Sequence, residues 1–281
     1  MHRRPFRSPA IGGRRPKTRL VVLAGFALVI AGAAVAWPPI VDAPVTESPT
    51  AHADPSRDVG STGEAESLGA GQTGMETTPR RAATVPVLLV PGWLDTGREL
   101  AALRIRLLTA GWPATHVEAI TFAEPTGSNR SHAEELDSAV NALLQQSGAE
   151  RVDIVAHSMG GLATRWYLLT RPDAPVRRAV FIASPHRGTL SAHLAWGGGR
   201  DEMMPDSPFL DSLNSAAPVP QRVEVITIRT SVDTHVVPGE SATLPGVADH
   251  RLCCPTHAGL LRDDLVFDIV LGFLEDGPSS E

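Results

Sequence analysis

"RVDIVAHSMGGLATRWYLLTRP", residues 151–172, begins with alternating apolar positions at Val152, Ile154 and Ala156 and then turns on Ser158. "VDIVAH" reads as a buried strand and Met159 to Thr170 as a helix, so the serine stands where one hands over to the other. Serine and glycine are ordinary turn formers, and a purely structural turn is one reading. The other is a nucleophile raised at the end of a strand. That chemistry requires small residues two positions either side, because a serine in a strained strand-to-helix turn leaves no room for larger neighbours. Ala156 and Gly160 meet this requirement. The strand before and the helix after turn a weak motif into a specific one.

Outward from this point, apolar runs and helical patterns alternate. "VPVLLVPG" (85–92) suits a fully buried parallel strand, "VEAITF" (117–122) a second, "RRAVFIAS" (177–184) and "VEVITIRT" (223–230) two more. Thr96 with Glu99, and Ser131 with Glu134, have capping-box spacing, and Gly111 and Gly148 suit helix ends. A closing helix is expected from about Gly259 to Asp276, with Leu260, Leu261, Leu265, Val266, Ile269, Val270 and Phe273 at helical spacing. Alternating strands and helices predict an α/β fold: a doubly wound, mainly parallel sheet with helices on both faces. Sites in such sheets gather at the carboxyl ends of the strands.

A serine hydroxyl is a weak nucleophile until a base takes its proton. His116 and His132 fall near element starts, where solvated surface roles are common, and His157 is expected to point away from the turn. His257, in "CCPTHAGLL", precedes the last helix, where the base belongs in the order Ser…Asp/Glu…His. Its alternative is a surface-loop histidine. Asp233, in "VEVITIRTSVDTHVVP", lies just past a strand end and is the candidate acid; Glu240 and Asp249 compete without a strand directly before them. His235 is a structural helper at most. Charge developing on a carbonyl oxygen needs fixed donors, and the main-chain N–H groups of Met159 and Trp93 are the candidates. Trp93 is preferred over Pro91 because proline has no N–H; an apolar rim role for its ring is compatible.

With these residues in hand, the chain resembles the α/β-hydrolase superfamily, and within it the small bacterial lipases of the Bacillus type and class 2. "VDIVAHSMGG" resembles their elbow with alanine first, "RTSVDTHVVP" their acid loop and "HAGLL" their histidine loop. "SPHRGT" (184–189) resembles a strand-end segment of lipases and of deacylases acting on glycolipid anchors. The likeness covers roughly Val85 to Leu274. It departs at Pro91-Gly92, where those lipases carry His-Gly. The resemblance implies a serine carboxylic-ester hydrolase acting on lipid or lipid-like esters through Ser158, His257 and Asp233, without cofactor or metal. Alternatives are an acyltransferase or glycolipid-anchor-type deacylase with the same triad, or a binding module on a hydrolase scaffold. The complete triad order argues against the last.

The ends differ from the body. Among 281 residues, the first nineteen hold seven Arg/Lys and no acid; removing those seven from the net −6 leaves −13 on the rest, which excludes a nucleic-acid partner. "LVVLAGFALVIAGAAVAW" (20–37) is uncharged and fits either a signal peptide cleaved after Ala34-Val35-Ala36 or an uncleaved membrane anchor. Both predict export. Residues 38–83 are rich in Pro, Ser, Thr, Gly and acid and read as a disordered linker; 84–276 form the catalytic domain and 277–281 a tail. Cys253 and Cys254 are adjacent, so they are expected as buried thiols, with a zinc site through His250 and His257 as the lesser reading. "HLAWGGGRDEMMPDSPFL" (193–210) is expected to be an apolar flap hinged at Gly197–Gly199, or else a disordered insertion.

Overall fold

Apolar side chains at successive positions of one strand point to opposite faces, so a strand buried on both faces must sit inside a sheet. The sequence "VLLV" does this. In the computed structural model, which describes residues 85–215 and 218–275, Val87 and Leu89 pack into one core layer and Leu88 and Val90 into another. They belong to β1 (Val87–Val90), which lies between β2 (Val117–Ala119) and β3 (Val152–His157). β4 (Val176–Ile182), β5 (Glu224–Thr230) and β6 (Ala248–Leu252) continue the sheet in the order β2-β1-β3-β4-β5-β6, all parallel. The predicted doubly wound sheet is borne out.

Helices cover both faces. α1 (Ala101–Thr109) and α6 (Asp264–Glu275) pack Leu103, Leu107, Val266 and Val270 against the layer with Val87 and Leu89. α2 (Asn129–Ser147) and α3 (Met159–Thr170) bring Leu136, Val140, Ala163 and Leu168 to the other. The chain reverses direction across the sheet between β1 and β3. Loops leaving the carboxyl ends of those two strands therefore flank one crevice.

Several boundaries differ from expectation, each for a local reason. Thr96 does donate its N–H to Glu99, at 2.8 Å, but this closes a turn before α1 and does not begin the helix. Ser131 lies inside α2, whose cap is Ser128, accepting from Arg130 N–H at 3.1 Å. The closing helix is broken. Gly259–Arg262 is a 3-10 turn, and Asp263 then caps α6 by accepting from Val266 N–H at 3.1 Å, which leaves Leu265 exposed. β6 was not expected, because an edge strand reading "ADHRL" has almost no apolar residue to betray it.

The expected flap is folded. Leu190–Leu194 forms a 3-10 turn, followed by α4 (Gly197–Met203) and α5 (Pro208–Asn214). Met203, Phe209, Leu210 and Leu213 pack on Met159 and Leu162 of α3. The glycines are needed for close approach: Gly197 has φ +78°, and a Cβ there would strike Thr126. Glu202 of α4 accepts from Ser128 Oγ at 2.6 Å and Asn129 Nδ2 at 2.9 Å, tying this cap to the start of α2. Cys253 and Cys254, expected as buried thiols, are exposed and joined to each other. No helix among the described residues is long and apolar enough to cross a membrane; residues 20–37 lie outside them.

Candidate active site

Ser158 follows β3 directly and has φ +52° and ψ −127°, a conformation that non-glycine residues rarely adopt. Its surroundings enforce it. The Ser158 N–H donates to the Ile182 carbonyl at 2.8 Å, extending the β3–β4 ladder to the nucleophile itself. Gly160 and Gly161 then let α3 press on neighbouring chain: a Cβ on Gly160 would meet the Pro91 carbonyl, and one on Gly161 the Ser184 hydroxyl. Ala156 is fully buried beside Val90 and Phe181 in the layer covered by α2 and α3, so a larger side chain would press on those helices.

Asp233 and His257 come from the loops after β5 and β6. His257 Nδ1 and Asp233 Oδ2 are 2.9 Å apart, with both side chains buried. The second carboxylate oxygen accepts from the main-chain N–H of His235 at 2.8 Å and of Val236 at 2.9 Å, so the acid cannot rotate freely. Burial pushes the Asp233 carboxyl upward, but the hydrogen bond and charge of His257 and these N–H groups outweigh it and leave its pKa below the ordinary value. Burial lowers the His257 pKa, the Asp233 hydrogen bond opposes this, and the charges of His157 and His235 add to the lowering. His257 is thereby kept neutral and able to accept a proton.

Ser158 and His257 line one cleft of about 450 Å³ together with Trp93, Leu94, Ala192, Leu194 and Met203. No hydrogen bond links them among the described residues; such contacts commonly tighten only when substrate is bound. The main-chain N–H groups of Trp93 and Met159 have no acceptor among the described residues. Met159 begins α3, whose helix dipole favours negative charge at that end. Trp93 is fixed from the other side, its Nε1 donating to the Trp196 carbonyl at 3.1 Å with the two rings edge to face.

The remaining candidates fall elsewhere. Asp249 lies in β6 and accepts from Arg229 at 2.8 Å and Thr227 at 2.9 Å, and Glu240 sits near Arg229; neither meets His257. His132 is buried, not solvated, and stacks on Phe122. His157 does not point away: it lines the cleft, and its ring lies 4.7 Å from that of His257. His235 stacks on the opposite face of His257, also at 4.7 Å. These flanking rings were missed because sequence spacing carries no signal for stacking across loops. Atoms of Asp233, His235 and His257 lie within 4.8 Å of one another, a spacing a cation can use. Both Asp233 oxygens are already engaged, however, and near-parallel rings do not aim their in-plane lone pairs at one point. Proton transfer suits the arrangement better.

A family model described as the alpha/beta hydrolase fold matches residues 85–222. A triacylglycerol lipase of Vibrio cholerae is 35% identical over 72 residues, 26% of this chain and 23% of the lipase, so the match spans less than a quarter of that relative. Among solved structures, Aspergillus fumigatus lipase B is similar with TM-score 0.61 and 22% identity over 70% of this chain and 54% of its own. Mature Bacillus licheniformis lipase BlEst2 is similar with TM-score 0.57 and 15% identity over 69% of this chain and 93% of its own. At these identities the structures establish the shared fold.

Proposed function

This chain belongs to the α/β-hydrolase superfamily, and from that premise we propose that it is a serine carboxylic-ester hydrolase acting on lipid-like esters. The observation that carries the reading is the buried 2.9 Å pair of Asp233 and His257 opening on the same cleft as the strained Ser158. His257 Nε2 takes the Ser158 proton as Oγ attacks the ester carbonyl carbon, and the N–H groups of Trp93 and Met159 hold the resulting oxyanion. Collapse breaks the ester bond, the imidazolium returns its proton to the departing alcohol, and an acyl-serine remains. Water, deprotonated by His257, then attacks that ester, and the imidazolium passes its proton to the departing Ser158 Oγ as the acid is released. Asp233 stays ionised, holding the proton on Nδ1 and stabilising the imidazolium.

The lipid-like preference rests on the rim. Leu94, Leu190, Leu194, Trp196 and Val232 are exposed on the loops surrounding the cleft, and Leu94 and Leu194 also line it. Nitrophenyl esters of graded chain length, offered to the wild type and to Ser158→Ala, test both points. The wild type is expected to favour acyl chains beyond acetate, and the variant to lose about 10³-fold or more. A folded variant retaining a tenth of wild-type turnover would sink the triad. Residues 1–37, with their basic flank and apolar run, support the further proposal that the domain works outside the cytoplasm. N-terminal sequencing of the mature protein and fractionation of cells check it; full-length protein free in the cytosol is the contrary result.

A further inference from the structure

His157, one residue ahead of the nucleophile and 2% exposed, takes no part in the chemistry just described. Its Nε2 donates to the main-chain carbonyl of His257 at 3.3 Å, and among the described residues nothing else donates to that carbonyl. Its Nδ1 lies 3.3 Å from the Asp95 carboxylate, close but without the alignment of a hydrogen bond. Asp95 closes the tight turn after β1, its N–H donating to the Gly92 carbonyl at 3.2 Å while Leu94 takes φ +61°. That turn also carries the Trp93 N–H.

One buried ring therefore touches three separately anchored loops: the nucleophile turn that bears it, the turn after β1, and the base loop. The base loop needs such a brace. Between β6 and the 3-10 turn at Gly259 it has no regular structure, and Cys253, Cys254, Thr256 and Ala258 are exposed. The Asp233 bond fixes the imidazole of His257, whereas the His157 bond fixes its backbone. We propose that His157, oriented by Asp95, is a positioning residue that holds the His257 loop and the turn after β1 in register with Ser158.

The inference rests on the hydrolase reading, and the test separates the two. Full-length wild type, His157→Leu, His157→Asn and Asp95→Asn are compared for kcat and KM on a soluble short-chain nitrophenyl ester, for Tm, and for the rate at which a fluorophosphonate labels Ser158. A misplacement near 1 Å costs about 10²-fold, so His157→Leu is expected to lower kcat and labelling by about tenfold or more with KM within about twofold. His157→Asn, whose amide can still donate to the carbonyl, is expected to recover part of this. Asp95→Asn, at a partly exposed side chain, is the fold-safe variant: a several-fold loss of kcat is expected at unchanged KM and Tm. The inference is overturned if His157→Leu and Asp95→Asn both stay within twofold of wild type, if loss tracks Tm, or if it appears only in KM. If His157→Leu does not fold, Asp95→Asn decides. Unchanged variants beside an active wild type and a dead Ser158→Ala overturn this inference alone. A wild type that neither turns over ester nor is labelled at Ser158 overturns the hydrolase reading and this inference with it.

Discussion

His257 meets Asp233 at 2.9 Å, and His157, its ring 4.7 Å away, faces Asp95 at 3.3 Å. The residue types are the same and the surroundings are not. The Asp233 side chain is 3% exposed and has both oxygens engaged, whereas that of Asp95 is 30% exposed and makes an unaligned contact. The far nitrogens differ more. His157 spends Nε2 on a carbonyl, while that of His257 has no hydrogen-bond partner among the described residues and its ring lines the cleft. A general base is thus distinguished less by its carboxylate than by the nitrogen it leaves unused.

The largest effect expected from that difference is at the histidines themselves. His257→Ala is expected to cost about 10³-fold or more in kcat, as much as loss of Ser158, because the two act as one unit. His157→Asn is expected to lose about tenfold at most and so to keep far more activity than His257→Ala leaves. Steady-state kinetics on the same ester make the comparison, and equal losses at both positions would break it.

The carboxylates come next. Asp233→Asn is expected to lower kcat by about 10²- to 10⁴-fold, since an amide N–H facing Nδ1 favours the tautomer with its proton on Nε2, where the base must accept. Asp95→Asn, beside an imidazole that transfers no proton, is expected to cost about tenfold at most, the scale of a small misplacement. Reversal of that order would make Asp95 the acid of the site.

How much of this was legible in the sequence follows the same division between local and through-space signals. β3 and α3 stand where the pattern around Ser158 put them, Val152–His157 and Met159–Thr170, because a short apolar run followed by a serine between small residues marks a buried strand handing over to a helix. Asp233 and His257 were nameable because each lies just past an element whose pattern is clear or just before one. β6 left no such mark, since its outward residues are polar. α4 and α5 escaped because three glycines and two prolines mask short helices whose stability comes from packing on Met159 and Leu162. The Asp95–His157–His257 contacts join residues up to 162 positions apart on three loops, and no periodicity reports such a meeting.

The smallest expected effect tests what the flanking rings do to the base. His257 must be neutral to accept the Ser158 proton, and burial, with the charges of His157 and His235, holds its pKa below the ordinary imidazole value. The rate should therefore rise with pH through an acid limb lying below about 6.5. The unfolded chain carries His257 at its ordinary value, so between the two values it binds more protons than the folded one. Stability from this group accordingly rises with pH across that window and is lost as pH falls through it. His235 stacks on the exposed side of the ring, where solvent weakens its influence, and His235→Asn removes one of the two lowering charges while burial and His157 remain. The kcat/KM profile of that variant should shift its acid limb upward, with the plateau nearly unchanged. A limb that moves downward would mean that the outer ring favours the imidazolium, and would reverse the electrostatic account of how this base is kept neutral.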